Sequence, residues 1–91
     1  MPSRAMTQEE LLTQLEELAA RLDIQIRQES VKSEDPATFG GYCRIGQRHV
    51  IIVHSRASTR RRIDILSESL KRFDVDDLFL LPVLRDHLKR N

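Results

Sequence analysis

Leu11, Leu15, Leu18 and Leu22 recur at steps of four, three and four, with Leu12 and Ala19 beside them and Glu9, Glu16 and Glu17 on the other side. Apolar positions at that period form one stripe of a helix. They predict a helix from about Thr7 to Leu22. Thr7 followed by Glu10 is a capping-box pattern at its start. The spacing also fits a coiled-coil seam, but two heptads are too few to specify one. Ile24 and Ile26 then alternate with polar residues, as in a half-buried edge strand over Ile24 to Glu29. Ser30 to Thr38 is polar, contains Asp35-Pro36, and reads as a surface loop.

Gly40-Gly41 opens a second strand, Tyr42 to Ile45, with Cys43 and Ile45 expected on one, inward face and Tyr42 and Arg44 opposite. Gly46-Gln47-Arg48 is a tight turn. Val50 to Val53 is a β-branched run that reads as a central strand buried on both sides, so the two strands predict a hairpin. Ser58 or Thr59 can cap a helix from about Arg60 to Phe73. Ile63, Leu66, Leu70 and Phe73 follow helical spacing there, and Lys71 and Arg72 suit its negative end. Asp74 to Asp77 is a break. Leu78 to Leu81 fits either an extended segment or a helical turn. Pro82 suits the first position of a final helix running to about Lys89, with Val83, Leu84 and Leu88 facing the core.

These elements predict an α+β fold: an N-terminal helix, a three-stranded, mainly antiparallel sheet made of one strand plus a hairpin, and two C-terminal helices packed mainly on one face. Residues 1–6 are expected to be a disordered tail and 7–91 a single domain. A chain of 91 residues is too short for two separate cores.

Composition narrows the setting. No stretch approaches the roughly 20 apolar residues of a membrane span, and no apolar run follows Met1-Pro2-Ser3-Arg4 as in a secretory signal. The single cysteine, Cys43, excludes an internal disulfide and suits a reducing compartment, so a cytoplasmic location without membrane contact is expected. There is no Trp, one Tyr (Tyr42) and three Phe (Phe39, Phe73, Phe79). The core is therefore modest, and dimerisation could add to it. The net charge is +1, but it is unevenly spread. Residues 1–39 carry four basic and eight acidic side chains, residues 40–91 eleven and six. Such asymmetry suits an anionic partner or head-to-tail self-association.

Catalytic chemistry finds little to build on. His49, His54, His87 and Cys43 are the candidate metal ligands, without a C-x-x-C or H-x-x-x-H pair. His49 and His54 stand five apart along a strand and point to opposite faces. The expectation is that His54 ends a strand and that His49 and His87 are exposed, with no metal or other cofactor. Cys43 has no sequence-local base and reads as a small apolar filler. Ser55, Ser58, Ser67 and Ser69 lack a G-x-S-x-G elbow. Gly40-Gly41 is not followed by G-K-[ST], so it reads as a backbone turn into the strand. Asp76-Asp77 lacks an apolar setting that would raise either pKa. No catalytic residue is assigned.

The distinctive segment is Arg56-Ala57-Ser58-Thr59-Arg60-Arg61-Arg62. Three of its arginines fall in the first turn of a helix, where positive charge opposes the dipole by a few tenths of a kcal/mol each. Helix stability alone would place acids there. The same helix end offers backbone N–H groups to an anion, and arginines grip carboxylate or phosphate bidentately. Arg56, Arg60, Arg61 and Arg62, with Arg44 and Arg48, are therefore the candidate anion- or partner-binding residues. The bland alternative is a solvated cluster paired with Asp64 or Glu68 on the same helix. The partner is expected to be another protein, or a second copy in a homodimer. Nucleic acid is a further polyanion, but aromatic interleaving and the helix-turn-helix and zinc-finger patterns are absent.

The run from His49 to Lys71 resembles the core of ImmA/IrrE-type zinc peptidases, in which an apolar strand leads through a short basic connection into the helix bearing H-E-x-x-H. In the best register Ser67-Glu68-Ser69-Leu70-Lys71 lies over that motif. The resemblance implies a zincin-like fold and puts Glu68 at the general base, while Ser67 and Lys71 occupy the places of the zinc-binding histidines. Without the metal that lowers the pKa of its water, a Glu does not imply the activity. Gly40-Gly41-x-Cys43-Arg44, Phe73-Asp74-x-Asp76 and Leu81-Pro82-x-x-Arg85 resemble segments of a family of small uncharacterised bacterial proteins of similar length, which brings no activity with it. The leading expectation is a non-enzymatic interaction or regulatory module. The alternative is a degenerate or cryptic zinc-peptidase-like hydrolase using Glu68 with His54.

Overall fold

The computed structural model describes residues 6–29 and 40–89. The expected tail, apart from Met6, and the expected loop at 30–38 lie outside the described residues. The elements run α1 (Gln8–Arg21), β1 (Ile24–Glu29), β2 (Gly40–Ile45), β3 (Arg48–His54), α2 (Thr59–Leu70) and α3 (Pro82–Lys89). The fold is α+β.

The capping box at α1 is present in both directions. The Glu10 N–H donates to Thr7 Oγ1 at 3.1 Å and the Thr7 N–H donates to Glu10 Oε1 at 2.9 Å. The leucine stripe buries Leu15 and Leu18 fully, with Leu11, Leu12 and Leu22 packed against the same core. Asp23 takes a left-handed conformation, φ 61°, which short polar side chains tolerate best after glycine. It turns the chain straight from α1 into β1.

The sheet order is β1-β3-β2. β3 is central, as its unbroken β-branched run required: Val50, Ile51 and Val53 are all buried. The β2–β3 hairpin closes with Ile45 opposite Arg48. Gly46, φ 62°, holds the first central position of the turn, where a two-residue loop calls for glycine. The sheet is mixed rather than mainly antiparallel, because β1 joins β3 in parallel, with Ile24 opposite His49 and Ile26 opposite Ile51. Sequence alternation fixes which side chains share a face. It carries no information on which strand lies alongside or in which direction.

The same register corrects the reading of β2. Tyr42 stands opposite Ile51, which is fully buried in the main core, and Cys43 opposite Val50. Tyr42 therefore faces the helices. Cys43 and Ile45 take the other face, where Ile45 is half exposed. Because β3 is apolar on both faces, its pattern could not tell which side the helices cover. Phe73 settles the matter by meeting the rings of Tyr42 at 5.7 Å and His49 at 5.0 Å. It does so from beyond the end of α2, which closes at Leu70 and not at the expected Phe73.

α1 and α2 pack together on one face of the sheet through Leu15, Leu18, Ile63, Leu66 and Leu70. Each runs back along the strand it adjoins, so the two start at the same end of the molecule. α3 begins at Pro82 and adds Leu84 and Leu88 to the core, whereas Val83, expected inward, points to solvent. Among the described residues no helix is long and apolar enough to cross a membrane.

Candidate functional site

Ser58 caps α2, accepting the Arg61 N–H at 3.1 Å. The first turn of the helix holds Arg60, Arg61 and Arg62 and no acid. The connection entering it is tightly built. His54 is buried at the end of β3 and its Nδ1 accepts the Arg56 N–H at 2.9 Å. The Ser55 N–H donates to the Glu29 carbonyl across the β1–β3 pair.

The six candidate arginines separate into three groups. Arg62 folds back: its Nε donates to the Ala57 carbonyl at 3.1 Å and its guanidinium to the Ser55 carbonyl at 2.9 Å. It holds the connection together and is spent on the fold. Arg56, Arg60 and Arg61 remain exposed at the start of α2. Arg60 reaches Asp64 only at 3.9 Å, with both side chains more than half exposed, a pair worth little in water. Arg44 and Arg48 lie at the hairpin, where Arg44 Nε donates to the Gly46 carbonyl at 3.2 Å. β3 runs from the hairpin to α2, so the six residue steps from Arg48 to His54 span roughly 20 Å at strand rise. The structure therefore does not bring Arg44 and Arg48 to the arginine segment.

Arginine bonds to main-chain carbonyls recur outside the candidate set. Arg21 donates to the Phe79 carbonyl at 2.7 Å and Arg85 to the Leu78 carbonyl at 2.8 Å. Sequence reading missed this use. Its only signal is an arginine near a connection that carries no regular hydrogen bonding of its own.

The residues of the zincin-like reading are placed apart. His54 lies on the sheet face away from the helices, with Nδ1 engaged by Arg56. Glu68 is exposed near the other end of α2, in a groove with Arg61, Asp64 and Arg72 beside Gly41 and Tyr42. Ser67 is buried and its Oγ lies 2.8 Å from His87 Nε2, tying α2 to α3. Lys71 is the C-terminal cap of α2. His49 and His87, expected exposed, are both half-buried, and His49 Nδ1 meets the Tyr42 hydroxyl at 2.6 Å. Among the described residues no three His, Cys, Asp or Glu side chains are grouped to hold a metal ion.

Comparison with known proteins supplies no relative: no family model, no curated protein and no solved structure matches the chain.

Proposed function

We propose that the protein is a non-enzymatic interaction module that holds an acidic protein surface with Arg56, Arg60 and Arg61. One observation carries the reading. Of four arginines around the start of α2, the fold uses the side chain of Arg62, while three stay exposed. Two of those three sit where they oppose the helix dipole. A cluster that opposes the helix dipole and makes within the described fold only the long, exposed Arg60–Asp64 pair fits a role outside it. Guanidinium groups pair bidentately with carboxylates, the chemistry of an acidic protein face.

A nucleic acid would gain from a ring on which to stack its bases. Tyr42 is enclosed by His49, Phe73 and the Arg72 guanidinium, 5.1 Å from the ring centroid. Phe79 lies near the last turn of α1, at the far end from the arginines. The half-buried free thiol of Cys43 favours a reducing compartment, and the module is assigned to the cytoplasm on that ground.

The test is titration with a fluorescent polyglutamate peptide at low and moderate salt, beside a single-stranded oligonucleotide of equal charge. The expected result is saturable peptide binding that weakens as salt is raised and falls about tenfold in Arg60→Ala/Arg61→Ala. Binding indifferent to that double substitution overturns the assignment. So does a clear preference for the oligonucleotide.

A further inference from the structure

At the far end of the molecule from the arginine segment the chain presents an apolar flank. From Leu78 to Leu81 the burial alternates. Leu80 is buried and Leu78 packs on the core, while Phe79 and Leu81 point outward, 77% and 40% exposed. Val83, two residues on, is 39% exposed. A segment with one wet face carries polar residues at its outward positions, whereas apolar residues on both sides mark a segment covered on both sides. Here the outward positions are Phe, Leu and Val.

The patch is also held in place. Arg21 and Arg85 clamp the carbonyls of Phe79 and Leu78. A backbone held in this way leaves less freedom to be lost when the patch is covered, which favours an interface anchor. Between the patch and α1 runs a shallow groove of about 100 Å³, floored by Leu18, Leu80 and Leu84 and walled by Glu17 and Arg21.

We infer that this flank is a self-association surface and that its occupant is the same flank of a second copy. Charge complementarity selects that occupant. Glu17 and Arg21 are one helical turn apart on the same wall. With a two-fold axis perpendicular to α1, the α1 helices of two copies run antiparallel across the contact and Glu17 of each faces Arg21 of the other. The wall is thus complementary to itself. Phe79 of each copy is then placed at the groove of the other. The apolar centre is small against the ~800 Å² per partner of a stable interface, so a weak dimer is expected. The surface lies at the opposite end from the arginine segment, so either proposal can fail without the other.

Sedimentation velocity over a dilution series up to several hundred micromolar tests it. A monomer–dimer equilibrium is expected, weakened about tenfold or more by Phe79→Asp. Val83→Lys reads the same face independently should the first variant fold poorly. Glu17→Arg, which leaves the Arg21 clamp on the Phe79 carbonyl in place, should weaken association by setting like charges against each other. A wild-type chain that stays monomeric throughout overturns the inference. So does a dimer untouched by Phe79→Asp and Val83→Lys, or one that Glu17→Arg leaves at full strength.

Discussion

The two connections that border α2 are built by the same device and present opposite chemistry. Residues 55–58, before the helix, are bound by Arg62 to the carbonyls of Ser55 and Ala57. Residues 71–81, after it, are bound by Arg21 and Arg85 to the carbonyls of Phe79 and Leu78. In each an irregular stretch leaves carbonyls that no helix or strand satisfies, and a long guanidinium reaches them from a neighbouring helix. What faces outward is then open to other demands. The first connection leads into exposed arginines, the second presents Phe79, Leu81 and Val83. One surface suits a salt-sensitive contact and the other a dry one.

Four substitutions break or sharpen that contrast. The largest effect is expected at Leu84, which is buried and anchors α3 behind the second connection. Leu84→Ala should cost about 2–5 kcal/mol in urea unfolding through the cavity it leaves. A cost below 1 kcal/mol would show that α3 is not part of the cooperative core. Arg62→Ala should cost roughly 1.5–3 kcal/mol, since it strips two carbonyls of a charged donor. Arg56→Ala, in the same segment, should cost no more than a few tenths, the usual range for an exposed surface change. Equal losses at the two positions would erase the distinction between the arginine used by the fold and those left outside it. The smallest effect has the opposite sign. Arg60→Glu should stabilise the chain by about 0.3–1 kcal/mol by placing an acid in the first turn of α2. Its thermal midpoint should rise at low salt and the gain should shrink as salt is added.

Much of this architecture was legible in the sequence. Thr7 and Glu10 marked the start of α1, Pro82 that of α3, and the run from Val50 to Val53 the central strand. These are local signals, carried by residues a few positions apart. What stayed hidden depended on distant partners. Nothing near Ile24 indicates that it lies beside His49, in parallel. Nothing in Tyr42-Cys43 says which of the two meets the helices, because the strand it pairs with is apolar on both faces. Ser67 and His87 are 20 positions apart and meet only through the docking of α3. The arginine segment was conspicuous by composition, yet its division into one internal clamp and three exposed side chains required the position of the Ser55 and Ala57 carbonyls. Phe79 gave no sign of its exposure, since Leu78 to Leu81 fits a helical turn as readily as an alternating segment.

The parallel pairing of β1 with β3 also sets an order of events. The hairpin joins neighbours in sequence and can close on a scale of about 1–10 μs. β1 must find a strand that follows it by some twenty residues, after β2 has already taken the other side. Contacts of that separation carry loop-closure entropy and form late. The topology therefore predicts a nucleus in the hairpin with α2, with β1 pairing later. Weakening the β1–β3 pair by Ile26→Ala should chiefly speed unfolding, whereas Ile51→Ala, in the centre of the nucleus, should slow folding itself.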